Sequence, residues 1–509
     1  MPAMPHTNDQ RKESNMKKKL IALLLALMVA VPAIASCNGG DTSDAVSSDQ
    51  SGTAGAEFPL EYRNFEGQTV VFLTVADSRH PYGVNQLVAI DEKTGSVIND
   101  AVAERNNYIE ENYGIKIETA TADYPGNEVA NFIAGGVETY DVIVDSVYTT
   151  VPRITENHYY CLDDLLNLEG DWWDRNALEY LSANGSAYLV AGDILLCDDM
   201  YTYLLLYNKD IYNDSGLAGE YGTLYDIVDD GEWTYDLLHK MAKSVSQPDS
   251  DGNWTNVNCT YGFLGDAYGS SMMVAGSGVT TVELDADNEY RLVVGEQKSI
   301  DAFSKVYELM SDTTSSIYVE QITESWGGIS SMFMNDKGLF YLCQAASIFG
   351  IKASDNEKVV NFGVVPLPKY DENQEKYYSG INAYQSEVLG IPTSNINNLE
   401  ATCYALEAMA YYAKYPSAGK SVTESFYETT LKLQAVASDD DARMLDLIFD
   451  NRLYDLGGIY NWGGNLIGVY SVVLRSGSNN LVSYWDSIKG GCQAAMEETI
   501  EDYRDMTGN

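Results

Sequence analysis

The sequence predicts an α/β protein organised in two domains, and three observations support that prediction. Apolar runs of strand length alternate with segments of helical periodicity along most of the chain. About 450 of the 509 residues follow a low-complexity N-terminal part, and that is more than one ordinary hydrophobic core accommodates. No internal repeat is visible, and low complexity is confined to that N-terminal part.

The first half of the folded part predicts alternating strands and helices. Gln68–Ala76 is a β-branched apolar run, and Val97–Gly114 places apolar residues at near-helical spacing before a closing glycine. Two further strands, "IKIETATA" and "YDVIVDSV", are separated by the short helix "EVANFIAGG". This order implies parallel pairing, with ligands beyond the carboxyl ends of the strands. Asp145, Ser146 and Tyr148 occupy such a position and are candidate site residues.

The second half continues the mixture of strands and helices. Tyr201–Leu217 predicts a strand followed by a turn and a short helix. Asp230–Val245 predicts a helix with Thr234 as its N-cap, because a threonine precedes the periodic segment. The runs "GLFYLCQAAS" and "NFGVVPLPKY" predict apolar strands. Asn397–Lys414 predicts a helix, and the tail from Ala437 onward is mostly helical.

The N-terminal part predicts an exported protein that is anchored by lipid. Lys17–Cys37 has a basic start, an apolar middle too short to span a bilayer and a small-residue end, as signal peptides do. Its ending Ile34–Cys37 resembles the lipobox of bacterial lipoproteins, whose cysteine is acylated and becomes the first residue after cleavage. The alternative is an ordinary cleaved signal peptide, in which Cys37 is not acylated. Met16 is the expected true start, and residues 38–57 form a Gly/Ser/Asp-rich tether.

The charge of the chain excludes some classes of partner. The whole chain has 75 acidic and 31 basic residues, and residues 1–36 hold two of those acids and five of those bases. The remainder therefore carries 73 acidic against 26 basic residues, a formal charge of −47. Such a surface repels nucleic acid and anionic lipid, and it favours neutral or cationic ligands.

Six cysteines follow Cys37, and none of them belongs to a CxxC pair. Zinc and thioredoxin-like redox sites are therefore not indicated. Their even number permits disulfides in an exported protein, but their spacing assigns none.

Several segments resemble a known family in their order along the chain. "LLLYNKDIYNDSGL" followed by "DGEWTYDLLHKMAKSV" is similar to a passage of the extracellular solute-binding proteins of family 1, the maltose-binding-protein-like receptors of ABC importers. Ser331–Ser347 and Val360–Tyr370 resemble two interior-strand segments of that family, and "YDVIVDSV" resembles a third. The resemblance runs from about Phe65 to Tyr503, nearly all of the mature chain.

The resemblance implies a two-lobed, periplasmic-binding-protein-like (type II) fold with hinge-connected lobes. Lobe 1 would comprise residues 65–203 and 366–414, and lobe 2 residues 204–365 and 415–509, after a leader (1–36) and a lipidated tether (37–64). The chain crossings would fall near "DMYTYLLL" and "VVPLPKY". A solute would be buried between the lobes by hinge closure and delivered to ABC permease subunits in the membrane. The receptor would be a monomer without a cofactor, held at the outer face of the cell membrane.

Aromatic residues in glycine-rich surroundings are candidates for stacking on a sugar ring. Trp326 lies in "TESWGGISS", where glycines and polar residues disfavour a helical core position. Tyr460 and Trp462 lie in "GGIYNWGGN", a pattern typical of an exposed loop platform. A loop that its aromatic side chains anchor onto the core is the alternative for this pair.

Polar side chains at strand ends and crossings complete the predicted ligand-binding set. Asp145 and Asp199 lie at a predicted strand end and a predicted hinge end that would face the cleft. Asn382, in "SGINAYQ", resembles the cleft-side turn after the second crossing. The alternative for isolated acids of this kind is a solvated surface position.

Catalytic and metal sites find little support in the sequence. No GxSxG, HExxH, P-loop or GxGxxG motif is present, and the chain has only four histidines. Gln247–Asn258 matches a calcium loop at three positions but lacks two main carboxylates, so a plain turn is expected. The sequence therefore favours a non-catalytic receptor for a mono- or oligosaccharide. A surface glycoside hydrolase, a polymer-binding adhesin and a receptor for peptides or another polar solute are the alternatives.

Overall fold

The structure is a computed structural model, and it describes residues 57–91, 95–182, 185–285, 289–322, 325–352, 360–427 and 439–507. The predicted signal peptide, Cys37 and tether residues 38–56 lie outside these ranges. Within them, none of the helices combines the length and the apolar character that crossing a bilayer requires.

The first sheet has four strands in the order β12-β3-β1-β2. They are β1 (Gln68–Val75), β2 (Ile115–Ala122), β3 (Val142–Ser146) and β12 (Glu387–Gly390). The first strand pairs in parallel with β2, Gln68 opposite Ile115, and with β3, Phe72 opposite Val142. The predicted strands and their parallel pairing are confirmed for this half of the chain.

The second sheet has five strands in the order β10-β4-β9-β5-β8. They are β4 (Tyr203–Asn208), β5 (Tyr261–Gly265), β8 (Ser316–Tyr318), β9 (Gly338–Gln344) and β10 (Phe362–Val365). β5 runs parallel to both β8 and β9. All six residues of β4 are buried, as expected of an apolar strand covered on both faces. A separate hairpin pairs β6 (Val282–Leu284) with β7 (Tyr290–Leu292).

One strand in each sheet runs against the parallel core because of the chain crossings. β12 is antiparallel to β3, and β4 is antiparallel to β9. Each enters its sheet directly after the chain has arrived from the other sheet. It therefore begins at the edge where the parallel strands end, and it runs the opposite way.

A short ribbon lies between the two sheets. Thr202 bridges Ile381, and β11 (Ser379–Gly380) pairs in parallel with β13 (Arg452–Leu453). We call residues 202, 379–381 and 452–453 the hinge ribbon. Its first segment lies within the predicted crossing "DMYTYLLL", whereas β13 was not predicted.

The return of the chain to the first sheet occurs later than the sequence suggested. The Trp233 indole N–H donates to the Pro366 carbonyl at 2.9 Å, and the Lys369 N–H donates to the Trp233 carbonyl at 3.0 Å. These bonds hold residues 366–369 against the helix that begins at Tyr235. The return segment in the ribbon is residues 379–381.

Helices cover both sheets. Their bounds are Val97–Tyr113, Pro125–Gly135, Val147–Thr150, Arg175–Leu181, Cys197–Met200, Lys209–Asp214, Leu217–Tyr221, Leu224–Asp229, Tyr235–Val245, Gly269–Gly276, Gln297–Ser311, Ser325–Met334, Ala346–Lys352, Leu399–Lys414, Val422–Tyr427, Asp439–Asp450, Leu456–Tyr460, Val469–Arg475 and Leu481–Thr507. Single 3₁₀ turns lie at Val151–Arg153, Val319–Gln321 and Trp462–Gly464.

Local sequence accounts for several helix ends. The Thr234 hydroxyl accepts a hydrogen bond from the Leu237 N–H, so the predicted N-cap is confirmed. Gly114 ends the first long helix at φ +63°, a conformation that favours glycine, and its N–H donates to Glu110 O.

Candidate functional site

A cleft of about 640 Å³ opens where the parallel strands of the second sheet end. Asp266 follows β5 directly, and Gln344 is the last residue of β9; both line the cleft. The opposite wall comes from residues 382–385, between β11 and β12. The cleft therefore has the position expected of ligand sites in such sheets.

The wall formed by residues 382–385 is fastened to the end of β3. Tyr148 N–H donates to Ala383 O at 3.0 Å, and Val147 N–H donates to Ser386 O at 2.9 Å. The Asn382 side chain orders the turn, because its Oδ1 accepts from Tyr384 N–H at 3.0 Å. The cleft thus lies between the end of the second sheet and a turn that is hydrogen-bonded to the residues following β3 of the first sheet.

A row of tyrosine rings that contact one another at tilted or edge-on angles supplies its aromatic surface. The rings of Tyr268 and Tyr384 lie 5.8 Å apart, and Tyr148 lies 4.7 Å from Tyr384 on the other side. Tyr203 extends the row at 6.4 Å from Tyr268. Tyr384 is 41% exposed, so its face is available to a ligand. Tyrosine rings stack on apolar faces and offer hydroxyls to polar groups.

Asp266 is the most unusual polar group in the cleft. Its side chain is 1% exposed, and Oδ1 accepts one hydrogen bond from Gly269 N–H at 2.8 Å. Oδ2 is buried without a hydrogen-bond partner among the described residues. Burial is the main cause that raises the pKa of Asp266 to about 7, and the charge of Glu320 adds to it. A ligand could therefore donate a hydrogen bond to Oδ2 of this carboxyl group.

The other charged group of the cleft is already paired. Arg475 Nη1 lies 3.7 Å from Glu320 Oε1, and Glu320 Oε2 accepts from Ala267 N–H at 3.0 Å. The guanidinium charge is thus balanced by an acid on its own side of the cleft.

The sequence matches a family model described as bacterial extracellular solute-binding protein over residues 90–414, more than half of the chain. The chain belongs to this family. Its members are binding proteins, so the predictions of an extracytoplasmic solute receptor and of a non-catalytic protein are confirmed.

Solved structures with the same fold agree with this assignment. A cyclo/maltodextrin-binding protein complexed with maltotetraose has 14% identity and a TM-score of 0.54, over 85% of this chain and 97% of that chain. The sugar-binding protein MalE from Xanthomonas citri has 14% identity and a TM-score of 0.55, over 86% and 98%. A solute-binding protein from Thermotoga lettingae, bound with α-D-tagatose, has 17% identity and a TM-score of 0.51, over 86% and 100%. These likenesses show the two-lobed fold. No curated protein sequence matches the chain significantly.

One of the residues predicted to bind ligand, Asn382, lines the cleft of this solute-binding protein. A second, Tyr148, does not line it but packs against the exposed Tyr384, which does, with the rings 4.7 Å apart and tilted. Asp145 lies beneath the surface instead, fully buried, where it accepts from the N–H groups of Ser146 at 2.7 Å and Gly126 at 3.1 Å. Asp145 thus holds the end of β3 in place.

Tyr460 and Trp462 pack away from the cleft. Their rings stack at 5.4 Å with a 14° interplanar angle, and Trp462 is 3% exposed. The Trp462 indole N–H donates to Thr499 Oγ1 at 2.9 Å, and the Tyr460 hydroxyl bonds Tyr503. These contacts fasten the glycine-rich loop to the C-terminal helix, as the alternative interpretation of this pair expects.

Asp199 lines a different pocket of about 680 Å³, which we call the rear pocket and which also includes Trp173, Asp193, Lys414 and Arg452. Asp199 pairs there with Arg452 of the hinge ribbon. Successive side chains of a strand point to opposite faces, so Arg452 enters the rear pocket while Leu453 faces a small cavity behind Tyr268.

The Trp326 side chain lies outside the described residues. Its backbone belongs to the first turn of the helix Ser325–Met334. The prediction that this indole contacts ligand stays a prediction.

The segment Gln247–Asn258, in which a plain turn is expected, contains a turn held by backbone hydrogen bonds and by the Asp249 side chain. Asp249 Oδ1 accepts from the N–H groups of Asp251 at 3.0 Å and Asn253 at 2.8 Å. In the part of the chain that the structure describes, no three acidic, histidine or cysteine side chains converge as a metal site would need. The six described cysteines are all unpaired thiols.

Sequence reasoning missed Asp266, Tyr268, Gln344 and Arg475. Asp266 follows the apolar strand "YGFLG", so the rule that selected Asp145 after "DVIV" would have selected it too. Arg475 lies on a helix far along the chain, and no sequence pattern indicates that it lines the cleft.

Proposed function

We propose that this solute-binding protein captures a saccharide in the cleft between its two sheets. The observation that carries the proposal is the row of tyrosine rings, packed at tilted angles, beside polar groups with open hydrogen-bonding capacity, Asp266 foremost. Sugar rings present flat C–H faces and a rim of hydroxyl groups, which such a surface complements. The maltotetraose and tagatose complexes of proteins with this fold support the same class of ligand.

The proposed contact residues come from both walls. Tyr148 and Asn382, predicted from the sequence, join Asp266, Tyr268 and Tyr384 in this set. A solute that touches both walls binds better when they approach each other, so binding would favour a closed arrangement of the lobes. We propose the hinge ribbon as the place where the chain bends. Of the predicted lobe bounds, 65–203 with 366–414 and 204–365 with 415–509, the second crossing would then move from 366 to about 381, because residues 366–369 pack against the helix that begins at Tyr235.

Anchoring and delivery complete the proposal. The lipobox-like ending at Cys37 would hold the receptor by lipid at the outer face of the membrane, with the tether as spacer. There the receptor, as a monomer, would pass its solute to the permease subunits of an ABC importer. The experiment for this part is radiolabelled palmitate incorporation by the intact chain and its loss in Cys37→Ser; equal labelling of both would reject the anchor.

Thermal unfolding of the chain without its predicted signal peptide, against a panel of mono- and oligosaccharides and short peptides, tests the function. A ligand that binds only the folded protein raises its stability by about 2.7 kcal/mol at a hundredfold excess over the dissociation constant. We expect a saturable shift with one saccharide, recovered unchanged afterwards. A shift with peptides alone would reject the saccharide, and a sugar recovered cleaved would support a hydrolase instead.

A further inference from the structure

The surroundings of Asp266 contain more negative than positive charge. Arg475 is engaged by Glu320 at 3.7 Å, and among the described residues no Lys, Arg or His nitrogen lies within ion-pair distance of the Asp266 carboxylate. A buried carboxylate without a counter-charge is costly, because its lost hydration is not replaced. A ligand that brings a positive charge would offset that cost, whereas an anionic ligand would add to it.

Tyrosine side chains line the same cleft as this carboxylate. Tyr203 comes from the start of β4, Tyr268 from the turn before Gly269–Gly276, and Tyr341 from β9; all three line the cleft with Asp266. Burial is the main cause that raises the pKa of each of these tyrosines, and the negative charge of Asp266 contributes in each case. Tyr384 closes the group from the opposite wall.

A cleft lined by a carboxylate and several aromatic rings is a recognised environment for an ammonium ion. Each ring face attracts a cation through its quadrupole, and the carboxylate adds a charge-assisted hydrogen bond. A neutral hydroxyl could also donate to Oδ2, but it would leave the buried negative charge without compensation. The formal charge of −44 on the whole chain favours the approach of a cation as well.

We infer that the solute carries an ammonium group, which Asp266 and the tyrosine rings of the cleft bind. This inference rests on the proposed function, and it narrows the cargo to an amino sugar or an oligosaccharide that contains one. Asp266 is then the residue that determines specificity.

Matched sugars test the inference on the unaltered protein. Calorimetric titrations would compare glucosamine, galactosamine and the amino form of chitobiose with their N-acetylated forms and with glucose, galactose and cellobiose. N-acetylation removes the charge and keeps the ring, so we expect the amino form to bind about tenfold more tightly or better. Equal affinity of amino and neutral forms would overturn the inference and leave the saccharide receptor standing.

A pair of variants assigns the effect to its residue. Asp266→Asn keeps the shape and removes the charge, and it should abolish the preference for the amino form. Asp214→Asn removes one exposed acid from the helix Lys209–Asp214, outside the cleft, and should retain the preference. An unchanged preference in Asp266→Asn would overturn the assignment.

Ethanolamine and choline separate this inference from the proposed function. If they bind through Asp266 while every saccharide fails, the saccharide is rejected and the ammonium inference stands. If neither amino sugars nor alkylammonium ions bind while a neutral saccharide does, the ammonium inference is rejected and the saccharide receptor stands.

Discussion

The sequence around Trp462 is compatible with two roles for this side chain, contact with a ligand and anchoring of its loop onto the core. Its surroundings in sequence, four glycines and two asparagines, are those of an exposed loop, yet it is 3% exposed and bonded to Thr499. We expect Trp462→Ala to lower the free energy of unfolding by about 3–5 kcal/mol, because it empties a core position. Solute affinity, measured well below the unfolding temperature, should be nearly unchanged.

Urea unfolding and calorimetric titration of the same Trp462→Ala preparation check this prediction. Trp462→Phe, which keeps most of the buried ring, serves as the milder control. A large loss of affinity in both variants with intact stability would return Trp462 to the ligand-binding set.

The raised pKa of Asp266 leads to a second prediction at the scale of one residue, which concerns how the stability of the protein depends on pH. Its pKa in the folded protein is raised by burial to about 7 from the ordinary value of 3.8, so the folded state binds the proton more tightly than the unfolded state. The stability of the solute-free protein must therefore fall as pH rises from about 4 to about 7, by up to about 4 kcal/mol from this group.

Asp266→Asn cannot titrate, so the stability of this variant relative to the unaltered protein should increase between pH 5 and pH 8. Urea midpoints of both proteins at these two pH values measure that change. The neighbouring charged groups, including the ion pair of Glu320 with Arg475, are common to both proteins. A difference that stays constant with pH would show that Asp266 is ionised throughout.

At the scale of elements, β13 of the hinge ribbon contributes a buried cation to the rear pocket. Arg452 Nη2 lies 3.0 Å from Asp174, and Nη1 pairs with Asp199 and lies 3.8 Å from Asp198. Burial is the main cause that raises the pKa of Asp198 and of Asp199. One guanidinium thus holds together acids from the N-cap of one helix and from the segment that precedes β4.

We expect Arg452→Gln to destabilise the protein by about 3–5 kcal/mol at pH 8, because buried carboxylates lose their partner. The loss should be smaller at pH 5 than at pH 8, because burial raises the pKa of Asp198 and of Asp199 and a protonated acid needs no counter-charge. Chemical unfolding at both pH values tests this. Arg443→Gln is the matched control, since Arg443 is 44% exposed in its pairs with Asp229 and Asp440 and should change stability by less than about 1 kcal/mol.

At the scale of the whole molecule, ligand capture should appear as a change of shape. A solute bonded to both walls of the cleft shifts the population towards closed lobes. Small-angle scattering should therefore give a smaller radius of gyration with the saccharide found by thermal unfolding than with a sugar that does not bind. An unchanged radius at saturation would point to a rigid site.

Local sequence patterns were sufficient to predict those elements whose structure depends on a single segment of the chain. The parallel strands β1, β2 and β3, the helix that Thr234 caps and the helix that Gly114 ends follow from periodicity and capping. Asn382 was predicted at the cleft because its segment, "SGINAYQ", resembles the cleft-side turn that follows the second crossing in the family.

Which polar and aromatic residues meet was decided by tertiary structure alone. Asp145 and Asp266 both follow buried strands, but backbone N–H groups occupy the first, while one oxygen of the second is left without a donor. Trp462 and Tyr384 both lie in turn-like sequence, yet a distant helix covers the former, and the latter stays exposed. The sequence by itself determined the α/β class, the order of elements and the family; the identity of the site depended on packing between segments far apart in the chain, which local periodicity does not encode.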